Sequence, residues 1–445
     1  MNRKLSERLR LLAGKCKNKH AWVYVCLAYC FFILSSCNRV PNEYIDPQLG
    51  SEQSSGAFLT DSEMETEIRQ NFTQEELQED YDQMWAILYE SFPFLSLTGK
   101  SGEELEALHS EKRSLIGTRV TDLEGLFSLM QDTCGALGNI AHLRAVGPEE
   151  YAPFYESRLQ KRDQMDAPKD TAIFLDPQTV ESYTQLGFLE CKPADSYYAN
   201  PLSMEYLPDI HAAYIRLPSF YSSELLEQGV PLAQFLEFHP DVNHVIFDIT
   251  GNAGGYTNIW MNHLVSAFPE TVQWECTSYI RVTDPIAWMY EGYDGYEEIT
   301  IEPIDPKEKG MPEWISELQM THKGIYRLTF PLQNFAGEKV SRQVRRWLLV
   351  DGNDASAADV FARFCKDTGW ATVVGSRTKG DGFHYAYAPS MVRLNHTGLL
   401  FWFFPESAAN EDGTLNIQQG TAPDFVKKAK ETAREACVRL IKAIK

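Results

Sequence analysis

One serine of this chain lies where the nucleophile of an acyl-transfer reaction would be expected. Ser356 stands between a strand-forming run at 347–350 and a helix-forming run at 360–364. At such a junction the hydroxyl lies near the free N–H groups and the positive dipole end of the helix, which stabilise an anion developing on a bound carbonyl. The alternative is that Ser356 or Asp354 simply caps the helix, as both residue types commonly do.

A second strand-to-turn junction lies about a hundred residues earlier in the sequence. The apolar run 245–249 leads into a glycine-rich loop at 250–255. Gly254 and Gly255 let the backbone turn with positive φ and expose its amides, so the loop can supply a second oxyanion donor beside the amide of Ala357. A phosphate-binding loop is disfavoured, because the GxGxxG spacing is missing and no P-loop lysine follows.

Five segments, taken in order, resemble the tail-specific, or C-terminal processing, serine protease family, including its tricorn-like and retinoid-binding-protein-like branches. They occupy residues 213–217, 248–255, 355–359, 371–375 and 420–424. The resemblance implies an α/β fold with a crotonase-like core of stacked ββα units, preceded by a small helical N-terminal domain. It also implies hydrolysis of peptide bonds through an acyl-enzyme on Ser356, with an oxyanion hole formed by Gly254, Gly255 and Ala357.

The general base is the main departure from the family pattern. A serine hydroxyl needs a base within hydrogen-bond reach, and many family members use a lysine in a G-K-G sequence. Alignment from Ser356 without gaps places Asp381 at that position. Lys379 lies two residues earlier, so in an extended segment its side chain would project to the same face as position 381. Lys379 is therefore one candidate base.

His142 is the other candidate base. It lies in a segment that resembles the D-x-H-x-x-L sequence of the tricorn-like branch, where the histidine serves as base, and imidazole is well matched to proton transfer near neutral pH. Ala141 stands where that branch has a serine. Its glutamate near the closing motif is replaced by Gln418 and Gln419, and Glu406 is a candidate substitute. We favour His142 over Lys379.

The N-terminus predicts a lipoprotein. Residues 1–20 are basic, residues 21–34 are apolar, and the following Ser-Ser-Cys completes a sequence that resembles a bacterial lipobox, with Cys37 as the lipid-bearing residue. The apolar run is shorter than the roughly 20 residues that a membrane-spanning helix needs. We therefore expect lipid anchoring and an extracytoplasmic location in the bacterial cell envelope. The net charge of −21 argues against nucleic acid as a partner.

The elements that must position these residues follow from capping and periodicity. Helices are predicted to begin at Thr73, Ser101 and Thr121, and strands alternate with helices beyond residue 211, as in α/β proteins. The predicted segments are a signal peptide (1–37), a tether (38–63), a helical N-terminal domain (64–148), a connecting region with a reduced or absent PDZ domain (149–210), a protease-like core (211–430) and a C-terminal helix (431–445).

Two functions from different classes fit these observations. The first is a lipid-anchored serine endopeptidase acting on peptides or unfolded proteins. The second is a family member without proteolysis that binds peptides or small apolar ligands in the same cleft. We expect no cofactor and no metal, since the cysteines contain no CxxC pair. The position of His142 or Lys379 relative to the Ser356 hydroxyl separates the two functions. The sequence does not predict the oligomeric state.

Overall fold

The computed structural model describes residues 68–164, 167–191, 202–221, 232–290, 299–305, 307–332, 339–382 and 390–444. The predicted signal peptide with Cys37 and the predicted tether lie outside these ranges. Within them, no helix combines the length and the apolar character needed to cross a membrane.

The strands of the described ranges form three sheets. They are β1 (Arg144–Ala145), β2 (Ser203–Leu207), β3 (Ala212–Arg216), β4 (His244–Asp248), β5 (Val272–Ile280), β6 (Ile299–Pro303), β7 (His322–Phe330), β8 (Arg345–Val350), β9 (Thr372–Gly375), β10 (Ser390–Arg393), β11 (Leu400–Phe403), β12 (Glu406–Ala408) and β13 (Phe425–Val426). The main sheet has the order β13-β9-β8-β4-β3-β2, and the smaller sheets have the orders β12-β5-β7-β6 and β1-β11-β10.

The helices alternate with these strands in the second half of the chain, which confirms the α/β class. They are α1 (Gln74–Ser91), α2 (Gly102–Arg113), α3 (Leu123–Ala136), α4 (Pro148–Lys161), α5 (Thr171–Phe174), α6 (Pro177–Gln185), α7 (Leu232–Phe238), α8 (Thr257–Trp260), α9 (Glu313–Glu317), α10 (Ala357–Thr368), α11 (Asn416–Gln419) and α12 (Ala433–Ala443). A π-helical turn, Met261–Val265, continues α8.

The main sheet is covered on both faces, which explains why its central strands are continuously apolar. In β4, the side chains of Val245 and Phe247 lie in the cluster that contains the apolar face of α10. Ile246 points the other way and lies in the cluster that contains α12. Strands β3, β4, β8, β9 and β13 run parallel, and β2 is an antiparallel edge strand.

Two of the N-terminal helices begin as their capping patterns predict, and the third is capped one residue later than predicted, at Asp122 and not at Thr121. Thr73 and Ser101 each accept a hydrogen bond from the backbone of a glutamate three residues later, and that glutamate bonds back to the cap. Asp122 caps α3 by accepting from Gly125 N. These helices share one hydrophobic core with segments between residues 280 and 415, including Leu399 of the run before β11. The described part of the connecting region is mainly helical.

Candidate active site

The two predicted loops meet because the strands before them are neighbours. β4 and β8 pair in parallel, so their carboxyl ends, and the loops that follow, lie at the same edge of the main sheet. The loops are hydrogen-bonded to each other: the N–H of Ala355 donates to the carbonyl of Asn252 at 3.1 Å. The N–H of Gly251 donates to the carboxylate of Asp351, also at 3.1 Å.

Ser356 occupies a strained turn at the start of α10. Its φ is 53° and its ψ is −126°, a conformation that non-glycine residues rarely adopt. The residue is partly exposed, and its hydroxyl makes no capping hydrogen bond to the helix. The side chain of Asp354 accepts from Asn252 and Asp351 and does not cap the helix either. The alternative that these residues serve as helix caps is therefore wrong.

Gly254 brings the glycine-rich loop into contact with this turn. A Cβ placed on Gly254, at φ 106°, would lie 2.7 Å from Ser356 Cβ and 3.2 Å from Ala357 N. Because the nitrogen of a residue lies about 2.5 Å from its own Cβ, the amide nitrogen of Gly254 lies within about 6 Å of Ala357 N. Only glycine fits this close approach.

The three predicted donors differ in their availability. The N–H of Gly254 donates to the side-chain oxygen of Asn252 at 2.8 Å, so it is already engaged. The N–H groups of Gly255 and Ala357 have no hydrogen-bond acceptor within the described part of the chain. Gly255 and Ala357 are therefore the better pair of candidate donors, and their role as an oxyanion hole stays a prediction.

His142 lies on a different part of the chain, in the turn that follows α3. Asn139, Ala141 and His142 all have positive φ, and His142 is partly exposed with a buried Nδ1. Its ring packs edge-on against Phe404, with centroids 5.4 Å apart, and Phe404 N donates to the carbonyl of Ala141 at 2.9 Å. The histidine is thus fixed beside the segment that joins β11 to β12.

Glu406 begins β12, two residues beyond that contact. Its side chain is fully buried and accepts a hydrogen bond from the Ser278 hydroxyl at 2.8 Å. The same strand contacts α11, because the N–H of Ile417 donates to Ser407 Oγ at 3.3 Å. Gly380 packs closely against the carbonyl of Asn416 in α11.

Gly380 in turn contacts the candidate nucleophile, since its carbonyl accepts the N–H of Ser356 at 3.1 Å. A continuous series of contacts therefore runs from Ser356 through Gly380, α11 and β12 to Phe404 and His142.

Lys379 is not placed as the alternation argument requires. Gly380 and Asp381 have positive φ values of 91° and 61°, so the segment is not extended, and side chains at 379 and 381 do not follow strand alternation. Lys379 is exposed, and its N–H donates to the carbonyl of Asp354 at 2.8 Å. That geometric reason for choosing Lys379 is wrong.

Two buried carboxyl groups beside Ser356 were missed as site residues in the sequence. Burial raises the pKa of Asp354 to about 9. Asp359, in the first turn of α10, also has its pKa raised by burial, and it accepts from Thr378 Oγ1 at 2.5 Å and from Thr421 N at 3.1 Å. Their position in the nucleophile motif was the signal available. Groups of His, Cys, Asp and Glu that could hold a metal are absent from the described residues.

The comparison with known families agrees with this geometry. Residues 211–426 match the model described as Peptidase family S41. This match identifies residues 211–426 as a peptidase family S41 region. This confirms the resemblance to the tail-specific proteases, and because the family consists of serine peptidases, its substrates are peptides or proteins.

Solved structures that resemble this chain share little sequence identity with it. A candidate peptidase from Parabacteroides merdae is 15% identical, covers 82% of this chain and 96% of its own, and has a TM-score of 0.46. A lipoprotein from Streptococcus agalactiae is 10% identical, with coverages of 83% and 96% and a TM-score of 0.45. Mature CPAF is 12% identical, with coverages of 83% and 96% and a TM-score of 0.45. The curated proteins contain no match to the chain.

Proposed function

We propose that this protein is an endopeptidase that cleaves peptides or unfolded proteins through an acyl-enzyme on Ser356. The observation that carries the proposal is the strained turn: a partly exposed serine whose hydroxyl is not used as a helix cap, beside two N–H groups that have no acceptor among the described residues. A nucleophile on a sharp strand-to-helix turn presents its oxygen to the substrate. The N–H groups of Gly255 and Ala357 would stabilise the negative charge on the carbonyl oxygen.

In the proposed reaction, His142 is the general base. It takes the proton of Ser356 as Oγ bonds to the scissile carbonyl carbon, and it gives that proton to the departing amine as the C–N bond breaks. Water then attacks the ester carbon and gives a proton to His142. His142 returns that proton to Ser356 Oγ as the ester C–O bond breaks, which releases the acid and restores the hydroxyl. The contacts from Ser356 to Phe404 support this choice, since they join the nucleophile turn to the segment beside the histidine.

Glu406 is the carboxylate that we propose to orient His142 and stabilise its charged form. It begins the strand two residues beyond Phe404, whose ring packs against the imidazole, and it is fully buried. A buried carboxylate near an imidazole favours the imidazolium that forms during catalysis. Lys379 stays the second candidate base.

The lipid anchor and the location complete the proposal. The lipobox-like sequence ending at Cys37 supports a lipoprotein attached to the bacterial cell envelope with its folded part outside the cytoplasm. Substrates would then be extracytoplasmic peptides or unfolded proteins.

A second candidate function is binding without cleavage. It is favoured by one observation, the presence of Asp381 at the position where many family members have the lysine base. In that case the cleft would hold peptides or small apolar ligands, and Ser356 would not form an ester.

Labelling with a serine-reactive fluorophosphonate separates the two functions. We expect the wild-type protein to be labelled and to cleave a fluorescent unfolded protein, and the Ser356→Ala variant to do neither. Ser101→Ala is the matched control, because Ser101 caps α2 in the N-terminal region. Absence of both labelling and cleavage in the wild type would favour the binding function.

A further inference from the structure

Asp354 lies where three segments of the site meet. The residue is fully buried, and its two carboxyl oxygens accept hydrogen bonds from different loops: Oδ1 from Asn252 N at 3.0 Å, and Oδ2 from Asp351 N at 2.7 Å. Its backbone carbonyl accepts the N–H of Lys379 at 2.8 Å. One residue therefore fastens the glycine-rich loop, the nucleophile loop and the segment after β9.

Asn252 extends this connection to the candidate oxyanion donors. Its side chain is fully buried, with Nδ2 donating to the carbonyl of Leu217 at 3.0 Å and Oδ1 accepting the N–H of Gly254 at 2.8 Å. A shift of the Asn252 backbone would therefore move Gly254, which touches Ser356, and with it the N–H of Gly255.

No cation of the described residues compensates the burial of Asp354. Its charged neighbours are Asp351 and Asp248, and the nearby guanidinium of Arg216 pairs with Asp248 at 3.5 Å. Among the described residues, no Lys, Arg or His side chain forms an ion pair with Asp354. A buried carboxyl without a cation lowers stability relative to an apolar side chain. The gain that the structure shows is the two hydrogen bonds that its carboxyl group accepts from backbone N–H groups.

We propose that Asp354 is a positioning residue that fixes the glycine-rich loop against the Ser356 turn, so that the N–H groups of Gly255 and Ala357 keep the spacing an oxyanion requires. The inference rests on the proposed peptidase function. Because these donors act on charge that develops in the transition state, loss of Asp354 should lower kcat and leave KM nearly unchanged.

The test compares Asp354→Ala and Asp354→Asn with a matched control. The side-chain amide of asparagine can accept a hydrogen bond from one of the two N–H groups and not from the other. The kcat of Asp354→Asn should therefore lie between those of wild type and Asp354→Ala. The control is Asp80→Ala in α1: Asp80 is also fully buried and also accepts two backbone N–H groups, from His396 at 2.9 Å and Thr397 at 2.8 Å.

We expect kcat to fall about 100-fold in Asp354→Ala, the size of losing or misplacing one oxyanion donor, with KM within about threefold of wild type. In Asp80→Ala, kcat should stay within about threefold even though stability falls. Amide hydrogen exchange of residues 250–255 should accelerate in both Asp354 variants and not in the control.

Unchanged kcat and unchanged exchange protection in Asp354→Ala would overturn the proposal. So would an equal loss of kcat in the Asp80 control, since that would indicate a general effect of stability. A wild-type protein that neither cleaves nor labels would refute the peptidase function, and hydrogen exchange would then still decide whether Asp354 fixes the loop.

Discussion

Replacing Gly254 with alanine tests the site most directly. The added Cβ would lie 2.7 Å from Ser356 Cβ and 2.8 Å from the carbonyl oxygen of Ala355. Carbon atoms in ordinary contact are about 3.5–4.0 Å apart, so the nucleophile turn and the loop must separate by about 1 Å. A misplacement of that size costs about 100-fold in rate, or about 2.7 kcal/mol of transition-state stabilisation.

The same substitution also strains the backbone, so the control variant must have that strain without the steric clash. Gly254 has φ 106°, and a non-glycine residue at positive φ costs about 1–2 kcal/mol. Gly251→Ala in the same loop is the matched control, because Gly251 has φ 78° and an added Cβ would meet nothing within 4 Å. In urea denaturation, Gly251→Ala should therefore lose the free energy of backbone strain alone, and Gly254→Ala should lose that amount plus the cost of the clash.

The assay is kcat with an unfolded-protein substrate, together with the rate of fluorophosphonate labelling. We expect Gly254→Ala to lose about 100-fold in both rates, and Gly251→Ala to stay within about fivefold of wild type. If Gly254→Ala loses no more of either rate than Gly251→Ala, the contact between Gly254 and Ser356 does not set the geometry of the nucleophile. The active-site assignment is then refuted.

Three further predictions address the base, the buried acid and the anchor. His142→Ala should abolish hydrolysis of unfolded proteins while Lys379→Ala keeps most of it, measured as kcat/KM; the reverse pattern would assign the base to the lysine. Burial raises the pKa of Asp354 from 3.8 to about 9, so the folded state holds a proton that the unfolded state releases. The contribution of Asp354 to the free energy of unfolding should therefore be greatest below about pH 4. It should fall by up to about 1.4 kcal/mol per pH unit as the pH rises towards 9. When the free energy of unfolding is measured with urea from pH 5 to 9, its decrease with pH should be smaller for Asp354→Asn than for wild type. An equal decrease in both proteins would contradict the assignment. Mass spectrometry of the membrane fraction should find lipid-modified Cys37 at the mature N-terminus, whereas an intact segment 1–36 would exclude a lipoprotein.

Much of the local structure could be predicted because it depends on neighbouring residues. The capping boxes at Thr73 and Ser101 start α1 and α2 where the sequence places them. The strand-to-helix change around Ser356 is visible in residue types alone. Alternating strands and helices likewise predict the α/β class, since each element needs an apolar face of its own.

The assembly of the site depended on contacts between residues that are far apart in sequence. The loops at Asn252 and Ala355 meet because β4 and β8 pair in parallel. His142 is held beside Phe404, more than 250 residues away along the chain. Composition and periodicity describe which faces are apolar, and they do not specify which strands become neighbours.

Lys379 and Asp354 show the same limit at single residues. The direction of Lys379 was inferred from strand alternation, and positive φ at Gly380 and Asp381 removes the basis for that inference. Asp354 looked like a helix cap, yet both of its oxygens accept backbone N–H groups instead. The sequence by itself determined the nucleophile motif and the elements around it. The tertiary structure decided which loops face each other and which buried groups hold them, because hydrogen bonds between distant segments form only after the sheet has brought those segments together.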